Sequence, residues 1–158
     1  MTRRIVLATG NAGKLRERRA SLAGHDLGAL AQSDFGIVPS IEHGDSFIAN
    51  ALIKARHAAA TAGLPAIADD SGLEVDALGG RPGLHSARYA GPQADARANN
   101  VKLLAELADL PLVARSARFR CAMVFVRDAD DVAPIIAEAS WPGRMALEPR
   151  GAGGFGFD

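Results

Sequence analysis

The sequence is poor in cysteine, aromatic residues and long apolar runs, and it carries no net charge. Cys121 is the only cysteine among 158 residues, which rules out a disulfide within the chain and indicates a reducing compartment. The 18 basic residues balance 18 acidic ones, which argues against a broad basic surface for nucleic-acid polymers or membranes. No apolar run is long enough for a signal peptide or a membrane-spanning helix. These absences predict a cytoplasmic protein that binds neither nucleic acid nor membrane.

The hydrophobic content, in contrast, is that of an ordinary globular protein. A hydrophobic share of 48% predicts one domain over residues 1–158 that buries its own core. Strand–helix units followed by a hairpin predict an α/β fold with a mixed sheet. Strands are expected at residues 4–8, 29–32, 66–68, 73–78, 117–126 and 133–141, and helices at residues 13–23, 46–62 and 95–107.

Two adjacent acids, Asp69 and Asp70, are the most informative feature of the chain. They follow a short apolar run at residues 64–68 and precede the turn signal Ser71-Gly72, so a buried strand is expected to end in two carboxylates. Successive strand residues point to opposite faces, so the two acids serve different roles. Because unpaired buried charge is costly, each acid needs a cation, a metal or a donor. The pair predicts a metal-dependent hydrolytic centre, and the alternative is an acidic turn with side-chain capping.

A glycine-lysine loop follows the first expected strand, at residues 9–14. Gly10 and Gly13 allow the backbone to approach a ligand closely, and the helix that begins here presents free N–H groups. Lys14 adds a positive charge suited to a phosphate. Leu15 stands where a Walker A loop carries serine or threonine, so the loop is not of that type. Phosphate binding and an ordinary strand-to-helix turn both fit this pattern.

Four further features permit a functional or an ordinary interpretation. Glu42 is either a ligand for a hard cation such as Mg²⁺ or a solvated loop acid. Lys54 is either a phosphate contact or a surface lysine. Arg88, within the loop of residues 81–89, either clamps a phosphate with two hydrogen bonds or lies on a structured surface loop. The aromatic residues of the glycine-rich segment 151–158 either stack on a base or belong to a flexible terminus.

Seven motifs together resemble the inosine triphosphate pyrophosphatase family, the dITP/XTP pyrophosphatases. Each motif is weak alone, but all seven occur in the family's order and cover the whole chain. They are TGNAGK at residues 9–14, SFIANALIKAR at 46–56, LPAIADDSGLEVD at 64–76, GGRPG at 79–83, SARYAG at 86–91, SWPG at 140–143 and GGFGFD at 153–158.

The resemblance implies a fold, a reaction and a set of site residues. The implied fold is two-lobed, with an elongated mixed sheet flanked by helices, an active site in the cleft between the lobes, and a homodimeric assembly. The implied reaction is Mg²⁺-dependent hydrolysis of ITP, dITP and XTP to the monophosphate and pyrophosphate, which cleanses the nucleotide pool. Asp70 is implied as proton acceptor and metal ligand, Glu42 as a second metal ligand and Asp69 as a supporting acid. The residues implied in substrate binding are Thr9, Gly10, Asn11, Ala12, Gly13, Lys14, Lys54, Ser71, Phe155, Gly156, Phe157 and Asp158.

Two departures from the family pattern leave alternatives open. The family continues past the position of Asp158 with a lysine and a serine-histidine-arginine motif that complete the base pocket, so we expect a domain that lacks its C-terminal part. Ala49 stands where the family usually carries a glutamate, which with Ser46 would form a capping box. The alternatives are a catalytically impaired nucleotide-binding fragment and a pyrophosphatase for another modified nucleotide.

Overall fold

A computed structural model describes residues 3–151, 153–154 and 156–157 of the chain. Within these residues the regular elements are five strands and three α-helices, with short 3₁₀ turns between them. They are β1 (Arg3–Leu7), α1 (Ala12–Leu22), β2 (Leu27–Ala31), α2 (Phe47–Ala62), β3 (Ala66–Val75), α3 (Ala96–Glu106), β4 (Ser116–Val126) and β5 (Ile135–Arg144).

The described strands form a single sheet in the order β2-β1-β3-β4-β5. β1 pairs in parallel with both β2 and β3, and α1 forms the crossover from β1 to β2. Crossover helices of this kind are what parallel neighbours require. The expected α/β fold with a mixed sheet and flanking helices is confirmed. In the described part of the chain, no helix has the length and apolarity needed to cross a membrane.

The strand that carries the two acids is longer than the sequence predicts. Residues 66–68 and 73–78 were expected to form two strands with a turn at Ser71-Gly72, but Ala66–Val75 is one continuous strand. Gly72 is buried inside this strand, where a missing side chain allows close packing. Asp69 and Asp70 therefore lie in the middle of a buried strand, and the interpretation of Ser71-Gly72 as a turn is wrong.

Each α-helix begins at a polar side chain that caps its first turn. Asn11, Ser46 and Asp95 each accept a hydrogen bond from the backbone N–H three residues later, at 3.1, 3.1 and 2.7 Å. Such caps satisfy donors that the first helical turn leaves free. At the other end of α2, Gly63 adopts a left-handed conformation with φ of 63°. The expected helix boundaries agree with the observed ones to within one residue at each end.

The chain divides into two compact units, each with its own apolar cluster. The first unit comprises the chain up to Asp70 together with Ala122–Glu138, and alanines of α2 dominate its cluster. The second unit comprises Ser71–Cys121 and the chain from Ala139 onward. The buried cluster of the first unit is Val6, Ala8, Ile37, Ala51, Ala55, Ala58, Ala59, Ala66, Ala68, Val124 and Val126, and that of the second is Leu73, Val75, Tyr89, Leu103, Leu107 and Ala117.

The last two strands are neighbours in the sheet, as the predicted hairpin requires, but the larger side chains of β4 lie on its more exposed face. The segment 127–134 joins them. In β4 the buried residues of the first unit are Ala122, Val124 and Val126, whereas Phe119, on the other face, is 43% exposed. All of β5 is exposed. Alternation predicts that two faces differ, but it does not show which face other elements cover.

Candidate active site

Asp69 in the middle of β3 pairs with two cations of α1. Lys14 Nζ lies 2.7 Å from Asp69 Oδ2, in an ion pair without hydrogen-bond geometry, and Arg18 Nε lies 3.7 Å from Oδ1. The two cations are four residues apart, so they share one helix face. The side chain of Asp69 is only 4% exposed, and a buried carboxylate needs such partners to remain charged. Asp69 therefore ties the start of α1, directly after the glycine-lysine loop, to the strand.

Asp70, the next residue of β3, contacts a different helix. Its Oδ1 lies 3.2 Å from Lys54 Nζ, and its Oδ2 accepts a hydrogen bond of 3.2 Å from Asn50 Nδ2. Lys54 Nζ also lies 3.5 Å from Glu42 Oε1. The different partners of Asp69 and Asp70 confirm the separation of the two acids that strand alternation predicts. One ammonium group thus faces two carboxylates.

Asn50 is a site residue that sequence reasoning did not single out. Its Oδ1 accepts a hydrogen bond of 2.8 Å from the backbone N–H of Gly44, while its Nδ2 donates to Asp70. A Cβ on Gly44 would lie 2.7 Å from both the Ala49 Cβ and the Asn50 Oδ1, so this close approach requires glycine. Asn50 therefore fixes the loop that carries Glu42 against the strand that carries Asp70. The sequence signal that could have identified Asn50 is a polar residue on the apolar face of the predicted helix, one turn before Lys54.

Hydrogen bonds to its own side chains fix the conformation of the glycine-lysine loop. Thr9 Oγ1 accepts a hydrogen bond of 3.1 Å from the N–H of Asn11, and Asn11 in turn caps α1. Gly10, Asn11 and Ala12 are exposed, whereas Gly13 is buried in the first helical turn. The loop thus presents exposed backbone at the positive end of a helix dipole, an arrangement suited to an anion.

The remaining predicted residues do not belong to the first unit or are not described. Ser71, Gly156 and Phe157 belong to the second unit, and Phe157 packs partly buried against its apolar cluster. Phe155 and Asp158 lie outside the described residues. The site built from described residues of the first unit therefore consists of the glycine-lysine loop, the two acids and their partners on α1, α2 and the loop before α2.

The charged side chains of this first-unit site balance one another. Lys14, Arg18 and Lys54 contact Asp69, Asp70 and Glu42, so three positive and three negative groups cancel. In the described part of the chain, no three His, Cys, Asp or Glu side chains are grouped to hold a metal by themselves. Mg²⁺ is commonly bound by one or two carboxylates together with substrate phosphates and water. Glu42 and Asp70, whose carboxylates both lie near the ammonium group of Lys54, fit this mode of Mg²⁺ binding.

The model of the Ham1 family matches residues 5–158. The chain belongs to the Ham1 family. The resemblance drawn from the seven motifs is confirmed.

Individual relatives match nearly the whole chain. The dITP/XTP pyrophosphatase of Thioalkalivibrio sulfidiphilus is 61% identical over 155 residues, which are 98% of this chain and 79% of the relative. The protein of the same name from Xylella fastidiosa is 58% identical over 156 residues, 99% of this chain and 78% of the relative. The solved structure of a HAM1 protein from Coxiella burnetii superimposes with a TM-score of 0.90 at 42% identity, covering 99% of this chain and 79% of that one. This Ham1-family chain therefore shares both sequence and fold with its relatives.

Proposed function

We propose that this Ham1-family chain hydrolyses ITP, dITP and XTP to the nucleoside monophosphate and pyrophosphate. The observation that carries the proposal is the buried Asp70, held by Lys54 and Asn50 while Glu42 shares the same lysine. Relatives named dITP/XTP pyrophosphatase, at 54–61% identity to this chain, support it. The homodimer and the cytoplasmic location that the resemblance implies are part of the same proposal.

The triphosphate would be held by backbone and lysine together. The exposed backbone of Gly10 and Ala12 would face the phosphates at the start of α1, where the helix dipole favours an anion. Lys14 neutralises part of the phosphate charge while its ion pair with Asp69 fixes its position. Lys54 supplies a second positive charge on the side of Asp70. Binding by positioned charges of this kind orients the phosphorus for attack along the line of the bond that breaks.

Glu42 and Asp70 would hold Mg²⁺. When bound, the ion offsets the negative charge that develops on the phosphoryl oxygens. Asp70 accepts a proton from the attacking water, whose oxygen forms a bond to the α-phosphorus as the bond to the bridging oxygen of pyrophosphate breaks. Asn50 keeps the carboxylate oriented by donating to Oδ2. By the same resemblance, Phe155, Gly156, Phe157 and Asp158 would begin the base pocket, and Ser71 would contact the substrate. Such a pocket would accept a 6-oxo purine and leave a 6-amino group without an acceptor.

The first prediction tests the role of Asp70. Asp70→Asn keeps the size of the side chain but removes the basic group, so pyrophosphate release from ITP with Mg²⁺ should fall by about 10²–10⁴-fold. Binding of ITP, measured by calorimetry, should persist. Asp109→Asn, at an exposed position of the second unit, is the matched control and should leave the rate unchanged.

Three outcomes would contradict the proposal at different levels. Full activity of Asp70→Asn would refute its role as proton acceptor. Release of pyrophosphate from modified pyrimidine triphosphates alone would show that the base class is wrong. Binding of ITP without turnover by the unmodified chain would favour a nucleotide-binding module that is not an enzyme.

A further inference from the structure

A concave pocket in the second unit is lined mainly by basic side chains. Its volume is about 370 Å³, and none of the described residues that line it carries a carboxylate. None of its residues belongs to the site proposed for hydrolysis. The lining consists of Arg81, Pro82, His85, Arg88, Tyr89, Pro92 and Lys102.

A short 3₁₀ helix and α3 bring these side chains together. His85 and Arg88 lie three residues apart in the 3₁₀ helix Gly83–Arg88, and side chains at that spacing eclipse each other. Lys102 comes from α3, and its Nζ lies 4.3 Å from the centre of the Tyr89 ring and donates a 2.9 Å hydrogen bond to the Tyr89 carbonyl. The aromatic ring is thus held beneath a cation at the edge of the pocket.

The donors of the two arginines are only partly used within the protein. Arg81 Nε donates to the carbonyl of Leu78 at 3.1 Å, which leaves its two terminal nitrogens for another acceptor. Among the described residues, the side chain of Arg88 has no hydrogen-bond acceptor and no carboxylate partner, and Arg81 and Lys102 have no carboxylate partner either. The described lining therefore offers several donors that no acceptor within the protein occupies.

The local charge is unbalanced in a chain whose total charge is zero. Residues 81–102 contain four arginine or lysine side chains and one acid, Asp95, which caps α3. Glu106 contacts the lining by accepting a hydrogen bond from the hydroxyl of Tyr89, and among the described residues no basic side chain donates to it. Clustered positive charges repel one another and raise the local concentration of anions. An anion in the pocket would offset that repulsion.

We propose that this pocket binds a phosphoryl oxyanion, either free as phosphate or pyrophosphate or as the phosphate of a nucleoside monophosphate. Arg88 supplies the planar fork that matches two phosphate oxygens, and His85 and Arg81 supply further donors. Pro82, Pro92 and the ring of Tyr89 give the pocket apolar walls, which suit the organic part of a nucleotide better than a free ion. The binding does not depend on the proposed hydrolysis, because the two use different residues.

The test follows the ring signals of His85 by NMR while inorganic phosphate, pyrophosphate or a nucleoside monophosphate is titrated into the full chain. All measurements are made at constant ionic strength, with chloride as the reference anion. The signals should shift in a saturable way, and Arg88→Gln should weaken the apparent affinity about tenfold or more, as expected for a lost charge-assisted contact. Arg97→Gln removes an exposed arginine from α3 outside the pocket and should leave the affinity unchanged.

The outcomes separate the candidate ligands and the two proposals. A nucleoside monophosphate that binds more tightly than phosphate supports the role of the apolar walls, and equal affinities assign the site to the free ion. The same shifts with chloride, or shifts that persist undiminished in Arg88→Gln, would overturn the proposal. Repeating the titration with Asp70→Asn keeps the result independent of turnover, since Asp70 is not part of this pocket.

Discussion

At the scale of single residues, Lys54 is the point where the charges of the proposed active site converge. Its ammonium group lies 3.2 Å from Asp70 and 3.5 Å from Glu42, two carboxylates that are 28 positions apart in the sequence. Asn50, one turn earlier on α2, connects the same carboxylate to the loop backbone at Gly44. These contacts preorganise Glu42 and Asp70 before any substrate arrives, which reduces the reorganisation needed for catalysis.

The second prediction concerns Tyr89, the only tyrosine of the chain. Burial, the hydrogen bond to Glu106 and the charge of Glu106 raise the pKa of Tyr89 from 10.0 to about 12. Because the folded pKa lies above the unfolded one, this group stabilises the fold fully below pH 10, and the contribution is lost as the pH rises through 12. Titration of tyrosinate absorbance should show one transition near 12.

Glu106→Gln tests the cause of that shift. The substitution removes the negative charge but leaves burial, which is the largest cause, so the transition should move down and remain above 10.0. A transition at 10.0 in the unmodified protein would contradict the buried, hydrogen-bonded hydroxyl. The chain unfolded in guanidine provides the reference pKa of Tyr89.

At the scale of elements, α2 organises the first unit. One face of this helix carries the alanines of the apolar cluster, while Asn50 and Lys54 reach the acid site. Its first turn is capped by Ser46, whose Oγ accepts from the N–H of Ala49 at 3.1 Å. The other half of a capping box, an acid at position 49 that accepts from the backbone of residue 46, is not supplied by alanine.

The third prediction is that Ala49→Glu stabilises the helix start. The new carboxylate completes the capping box and meets the positive end of the helix dipole, so the free energy of unfolding should rise by about 0.5–1 kcal/mol. Thermal melting should shift upward by about 1–4 °C. Ala60→Glu places the same side chain at an exposed position near the C-terminus of α2 and should not stabilise the protein.

Turnover of the same variant separates capping from catalysis. An unchanged rate of pyrophosphate release together with a higher melting temperature would assign this position to stability alone. A higher rate would mean that the family's acid also helps to organise the metal site. A melting temperature no higher than that of Ala60→Glu would contradict the capping interpretation.

At the scale of the whole molecule, two apolar clusters support the fold, and they differ in the size of their side chains. The cluster of the first unit is built mainly from alanine and valine, whereas Leu103 and Leu107 of the second unit are completely buried. A large buried side chain contributes more apolar area and leaves a larger cavity when it is truncated. Stability should therefore be most sensitive to substitution at such leucines.

The fourth prediction is that Leu103→Ala lowers the free energy of unfolding by about 2–5 kcal/mol. That is a large share of the roughly 5–15 kcal/mol by which folded proteins are usually stable. Val101→Ala lies on the same helix but at a position that is 61% exposed, so it should change stability by less than about 0.5 kcal/mol. Urea unfolding followed by circular dichroism measures both, and equal losses would contradict the assignment of the second cluster.

Much of the fold and part of the site could be predicted from local patterns. Periodicity predicted the three helices to within a residue at each end, and the period of two in a strand predicted that Asp69 and Asp70 have different partners. Ordered motifs determined the family. The single domain and the roles of the site residues stay predictions.

Only the tertiary structure decided which distant residues meet. It joined Glu42 to Lys54, brought Asn50 between Gly44 and Asp70, and gathered Arg81, Arg88 and Lys102 around one pocket. It also made one strand of two predicted ones, since packing on both sides of β3 overrides the local turn preference of Ser71-Gly72. The physical reason is that periodicity and caps depend on neighbours within about one helical turn, whereas these contacts join residues far apart in the sequence and exist only once the elements have packed.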